Sequence, residues 1–152
     1  MNIELRARLR VEDALESVRY QVRAETPLQE VVDLMVREGV RAVPVVGEGS
    51  EVLGIITSGD ALAQVLKEGP PERSTRTGVP PDLTARTIMT RTVLCVSEDQ
   101  RLSDAARLMV NRNVEQLPVV RDGELVGIIT RDGTLRALHG GGAGQHAKGA
   151  DA

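Results

Sequence analysis

Aromatic side chains are almost absent: among 152 residues there is one tyrosine and no phenylalanine or tryptophan. The core must therefore be built from Val, Leu, Ile, Ala and Met. Stacking platforms for single-stranded nucleic acid, which rely on aromatic rings, are excluded with them. Basic excess is also missing. A net charge of -3 and a pI near 5.5 argue against binding driven by phosphate neutralisation. Cysteine occurs once, as Cys95, so neither an intrachain disulfide nor a multi-cysteine metal site is available. No apolar run approaches the roughly 20 residues that span a bilayer, and the N-terminus has no signal-peptide stretch. A cytoplasmic protein without nucleic-acid or membrane partners is the expectation.

What the chain does have is a repeat of itself. Val43-Pro44-Val45-Val46 returns as Leu117-Pro118-Val119-Val120, and Asp33-Leu34-Met35-Val36 returns as Arg107-Leu108-Met109-Val110, both 74 residues later. Gly54-Ile55-Ile56-Thr57 returns as Gly127-Ile128-Ile129-Thr130 after 73. The missing residue falls in the loop between, Gly47 to Glu51 against Arg121 to Glu124.

Each copy reads as βαββα. A short strand is expected at Tyr20 to Val22 and at Thr92 to Val96. A helix follows, with Thr26 as its N-cap, Pro27 in the first position and Gln29 completing a capping box. Leu28, Val31, Val32, Met35 and Val36 form its apolar stripe, matched by Leu102, Ala105, Ala106, Met109 and Val110. Gly39 and Asn113 stand at its end, the residue types that best accept a left-handed helix stop. Two apolar strands joined by a tight polar turn come next, Val43 to Val46 with Val52 to Ile56, and Leu117 to Val120 with Leu125 to Ile129. A closing helix is expected over Asp60 to Lys67 and about Thr134 to Leu138. The organisation is then an N-terminal segment 1–12, helical and packed on one copy; a repeat at 13–68; a linker at 69–83 rich in Pro, Gly, Ser and Arg; a second repeat at 84–138; and a flexible Gly-rich tail at 139–152.

The doubled pattern of h-P-V-V, turn and G-h-h-T, with Ile88-Met89-Thr90 ahead of the second copy, resembles a tandem pair of CBS (cystathionine-β-synthase) domains. This arrangement is called a Bateman module, here of the stand-alone prokaryotic type. The resemblance covers residues 13 to 138. It implies an α/β (α+β) fold of two repeats related by pseudo-two-fold symmetry, with small sheets covered by helices. It also implies clefts between the repeats for an adenosine-containing ligand: AMP, ADP, ATP, S-adenosylmethionine or NAD. Homodimers and an effector protein that reads the ligand state are the further partners implied. No cofactor is required and no catalytic activity is expected.

The family's ligand signature, G-h-h-[ST]-x-x-[DN], is complete in the first copy as Gly54-Ile55-Ile56-Thr57-Ser58-Gly59-Asp60. By similarity, Asp60 would hold the ribose hydroxyls and Thr57 would meet ribose or phosphate. Amides at a helix start near Ser58 suit a phosphate. Val43, Pro44, Val18 and Arg19 would wall the purine.

The second copy departs from the signature. It reads Gly127-Ile128-Ile129-Thr130-Arg131-Asp132-Gly133, with glycine in the place of Asp60. Asp132 comes one residue early, about 100° round a helix. Either this cleft lacks its ribose clamp or Asp132 serves in a distorted way. Arg131 is a candidate for phosphate, and Leu117, Pro118 and Thr92 for the walls. Ala42 and Gln116 stand where some relatives carry a basic phosphate contact.

Plainer explanations stand beside these. Thr57-x-x-Asp60 ahead of an apolar helix is a capping box that would stabilise the chain with no ligand. Cys95 reads as a structural thiol, and His139 and His146 as solvated residues of the tail. A structural dimerisation or interaction module with empty clefts is the alternative to a ligand sensor.

Overall fold

The computed structural model describes residues 3–67, 82–91 and 94–140, which group into two compact units. One unit comprises residues 19–93 and carries the first sheet; the other combines residues 1–18 with 94–152 and carries the second. Thr92, most of the expected linker and the tail from residue 141 lie outside the described residues.

In the first unit β1 (Val22–Arg23) pairs in parallel with β2 (Ala42–Val46), which pairs antiparallel with β3 (Val52–Thr57). Helix α2 (Leu28–Glu38) links β1 to β2, and α3 (Ser58–Leu66) follows β3. The second unit repeats the arrangement with β4 (Val96–Ser97), α5 (Leu102–Arg112), β5 (Gln116–Arg121), β6 (Glu124–Thr130) and α6 (Arg131–Gly140). Two short helices lie ahead of the repeats, α1 (Ile3–Arg8) and α4 (Ala85–Ile88), and a 3-10 turn spans Val11–Ala14.

Both first strands start later than the apolar pattern suggests, and proline is the reason. With Val22 opposite Val45, the register would set Gln21 against Pro44; with Val96 opposite Val119, it would set Cys95 against Pro118. Proline has no amide to donate, so parallel pairing begins just past it in each sheet.

The helix start differs too. Thr26 does not cap α2: its Oγ1 accepts the Arg23 amide at 3.0 Å, closing the turn after β1, and Pro27 stands at the cap without a side-chain bond. The first amide of α2, that of Leu28, instead donates to the Leu83 carbonyl at 2.9 Å. The helix stops are as the sequence predicts. Gly39 (φ 67°) and Asn113 (φ 54°) are both left-handed. So are Asp122 (φ 52°) and Gly123 (φ 84°), which turn the tight β5–β6 hairpin.

Each unit has its own apolar core. Leu28, Val31, Val43, Val45 and Ile56 are fully buried in the first, and Leu102, Leu117, Val119 and Ile129 are at most 1% exposed in the second. The stripe is narrower than its spacing implies, because Val36 and Val110 are 78% and 73% exposed. Helix α6 starts three residues before the expected Thr134 and runs to Gly140, into the segment read as tail.

The segments that precede the repeats are exchanged. Residues 83–90, which lead into the second copy, dock on the first sheet. There Leu28 donates to Leu83, Ala85 to Thr26 and Arg86 to Ala24, and Thr90 and Ile55 exchange both backbone bonds. Residues 9–16, which lead into the first copy, make the same five bonds on the second sheet. Leu102 donates to Leu9, Val11 to Gln100 and Glu12 to Glu98, and Glu16 and Ile128 exchange both bonds. Leu9, Val11 and Ala14 thereby enter the second core, so the N-terminal segment does pack on one copy, the second.

Two buried positions are polar in one unit only, Gln64 against Ala137 and Thr134 against Ala61. Thr134 is 3% exposed, and its hydroxyl finds no hydrogen-bond partner among the described residues; Ala61 holds the corresponding place in the first unit. Thr134→Val keeps the shape and removes the unpaired hydroxyl. It is expected to raise stability by about 1 kcal/mol. Chemical denaturation checks this; a loss of similar size would show that the hydroxyl is bonded.

Candidate functional site

The last turn of β3 and the first of α3 carry the signature of the first copy. Thr57 has extended backbone (φ -98°, ψ 162°) and caps α3, which ends the strand; the Ser58 amide, expected to face a phosphate, instead donates to the Arg41 carbonyl at 2.7 Å. Its Oγ1 accepts the Asp60 amide at 3.1 Å, and Asp60 Oδ2 accepts the Thr57 amide at 3.0 Å. The capping box foreseen from the sequence is thus formed. It occupies one carboxylate oxygen of Asp60 and one lone pair of Thr57. Thr57 and Ser58 are exposed and Asp60 is half-buried.

Gly54, which opens the signature, has a steric role. A Cβ there would lie 2.7 Å from the Thr90 carbonyl oxygen and 2.8 Å from Met89 Sδ. Gly127 is as tight, at 2.5 Å from Leu15 Cδ1 and 2.7 Å from the Glu16 carbonyl oxygen. The glycines let the exchanged segments lie directly on the sheets.

The other residues named from sequence are placed as follows. Val43 and Leu117 are closed to solvent in the two cores, and Pro44 and Pro118 are buried beside them. Val18 belongs to the second unit and Arg19 to the first. The Arg19 guanidinium lies 5.8 Å from the centre of the Tyr20 ring, and the Tyr20 hydroxyl donates to Glu38 at 2.9 Å. That bond holds the tyrosine pKa above its ordinary value and the Glu38 carboxyl below its own. Burial pushes the Cys95 thiol up, as for a structural residue.

In the second unit Thr130 Oγ1 accepts the Gly133 amide at 3.0 Å, so the helix is capped one-sidedly. Arg131 turns away from the helix start: its Nε donates to the Val114 carbonyl at 2.8 Å and its second guanidinium nitrogen to Asn113 Oδ1 at 3.0 Å. It closes the end of α5. Asp132 is exposed on the first turn of α6.

A residue that sequence reasoning missed sits beside them. The Thr130 hydroxyl donates to Glu16 Oε2 at 2.9 Å, and a Cβ on Gly133 would lie 2.5 Å from that same oxygen. The only hint in the sequence is the spacing of Glu16 from Thr90, 74 positions, equal to the offset between the repeats.

Two small mixed sheets, each with one parallel and one antiparallel pair and a helix capped at the end of its last strand, define a tandem-repeat α/β module. The chain belongs to the CBS domain family, which matches residues 11–67 and 85–140. Its fold is that of solved CBS domain pairs. The crystal structure of CBSX2 in complex with AMP is 30% identical, with a TM-score of 0.71, covering 86% of this chain and 96% of that one. The CBS domain pair of protein MJ0100, in complex with 5′-methylthioadenosine and S-adenosyl-L-methionine, is 26% identical, with a TM-score of 0.69 and coverage of 86% and 96%. By sequence, uncharacterized protein MK0525 of Methanopyrus kandleri is 33% identical over 125 residues, 80% of this chain and 60% of the relative. The chloroplastic CBS domain-containing protein CBSX2 of Arabidopsis thaliana is 29% identical over 135 residues, 76% and 57% respectively. The chain thus spans 60% or less of the length of these two relatives. CBS domain pairs are as a class regulatory, non-catalytic modules. Among the described residues no helix is long and apolar enough to cross a membrane.

Proposed function

We propose that the chain is a regulatory module that binds an adenosine-containing ligand and answers with a shift in conformation read by another protein. The reading rests on the Thr57–Asp60 pair at the start of α3. A carboxylate with one oxygen held by the cap keeps its other oxygen for a ribose hydroxyl, and the exposed Thr57 hydroxyl beside it suits ribose or phosphate. That related CBS pairs were crystallised with AMP, 5′-methylthioadenosine and S-adenosyl-L-methionine supports the ligand class. Val43 and Leu117, being core residues, would meet a purine through backbone rather than side chain. Any signal requires that the ligand bind one arrangement of the protein better than another.

A homodimer fits the surface. Val36 and Val110 are exposed at matched positions on α2 and α5, as are Leu62 (59%) and Leu135 (67%) on α3 and α6. A module that only dimerises is the competing reading, and it too would use these faces. Calorimetry with AMP, ADP, ATP, S-adenosylmethionine and NAD separates the two. The sensor requires at least one to bind well below millimolar; heat from none of them leaves the dimerisation module.

A further inference from the structure

The second copy has lost the aspartate of its signature, yet a carboxylate stands where that aspartate would be. Backbone pairing fixes the equivalence. Glu16 exchanges both backbone bonds with Ile128 as Thr90 does with Ile55, so Glu16 and Thr90 are corresponding residues on the two sheets. Asp60 and Gly133 correspond likewise, each three residues after the capping threonine and donating its amide to that threonine's Oγ1. The first unit therefore has threonine on the docked segment and aspartate on the helix; the second has glutamate on the docked segment and glycine on the helix.

The two changes are sterically one. A Cβ on Gly133 would stand 2.5 Å from Glu16 Oε2 and 3.0 Å from Thr130 Oγ1, so the glutamate carboxylate fills the room of an aspartate side chain and any larger residue at 133 would have to push it aside. The carboxylate is fixed at Oε2 by the Thr130 hydroxyl, and among the described residues Oε1 accepts no hydrogen bond. Glu16 is half-buried, so the group is held in place yet reachable from solvent. Its longer side chain makes up for starting from the neighbouring segment. Asp132, one residue off register and exposed, is not needed for this role.

The geometry points to Glu16 as the residue that reads the ribose hydroxyls in the second unit, in place of the aspartate of the first. The inference rests on the adenosyl-ligand reading above and gives the chain two sites of different make. One carries its carboxylate on the helix, and the other receives it from the N-terminal segment.

AMP and its 2′,3′-dideoxy analogue are the probes, followed by calorimetry on the whole chain. Asp60→Ala is expected to leave one AMP site per chain that still discriminates against the dideoxy analogue. In that background Glu16→Gln keeps an acceptor for Thr130 but removes the charge. It should weaken AMP about 10-fold or more and abolish the discrimination, as expected for loss of a hydrogen bond to a charged group. Glu16→Thr combined with Gly133→Asp rebuilds the first unit's arrangement and should restore both. The inference is overturned if Asp60→Ala alone removes all AMP binding, a result that leaves the sensor reading intact with a single site. It is also overturned if Glu16→Gln lowers the melting temperature with affinity and discrimination unchanged, since Glu16 then only holds the Thr130 hydroxyl. A parent chain that binds no AMP at either site overturns it together with the sensor reading, if the other adenosyl ligands fail as well.

Discussion

Asp60→Ala is expected to weaken an adenosyl ligand at the first site by about 10- to 100-fold, the range for losing hydrogen bonds to a charged acceptor. The same change opens the capping box with Thr57, at a cost of about 1 kcal/mol in stability. The two effects are separable. Asn is also a good N-terminal helix residue and keeps an oxygen for the Thr57 amide, so Asp60→Asn should recover most of the stability without the charge. If affinity recovers along with the cap, Asp60 acts on the helix and the ligand is held elsewhere. If stability returns and affinity does not, the carboxylate itself is the contact. Isothermal titration and urea unfolding on the same preparations give both readings.

The second large effect concerns stability. Gly127→Ala would drive a Cβ to 2.7 Å from the Glu16 carbonyl oxygen and 2.5 Å from Leu15 Cδ1. The leucine tip can move, but the carbonyl belongs to a backbone pair bonded in both directions at 2.8 and 2.9 Å, so the docked segment must lift. A loss of about 2–3 kcal/mol is expected, at the upper end for overpacking. Gly54→Ala should behave alike, since its Cβ would meet the Thr90 carbonyl at 2.7 Å. Gly59 supplies the contrast. It lies inside α3 with its nearest neighbour 3.7 Å from a built Cβ, so Gly59→Ala should stabilise by roughly 0.5–1 kcal/mol from helix propensity. Urea midpoints that move the same way at Gly127 and Gly59 would show that the glycines of the signature are there for some other reason.

Much of the fold was legible because it repeats. The left-handed stops at Gly39 and Asn113, the tight turn at Asp122-Gly123 and the antiparallel strands all follow from local chemistry visible in single residues. The starts of β1 and β4 were misplaced because alternation of apolar residues says nothing about a proline on the partner strand. The start of α2 was misassigned because its amide partner, Leu83, is 55 residues away in sequence. Val36 and Val110 fit the helical stripe, but periodicity does not distinguish a buried edge from an exposed one.

Of the candidate site, the Thr57–Asp60 arrangement was readable in full, since all its partners lie within four residues. Arg131 looked available for a phosphate; its engagement by Val114 and Asn113 depends on the path from α5 into β5. Glu16 was invisible for the same reason as Leu83. Its role arises from a segment that docks on the far copy, and motif spacing carries no trace of such an exchange.

That exchange sets an order on the chain's own synthesis. When residue 67 has been made, the strands and helices of the first sheet are complete, but the segment that caps α2 and covers Gly54 is still to come. The first unit can close only once residues 83–90 have left the ribosome. Residues 9–16 have the opposite history. They emerge ahead of the sheet that they join and must wait, apolar side chains of Leu9, Val11 and Ala14 unburied, until β6 appears more than a hundred residues later. Residues 9–16 are thus made before the first sheet yet find their place after it, and this interval is when they are most open to misassociation with another nascent copy.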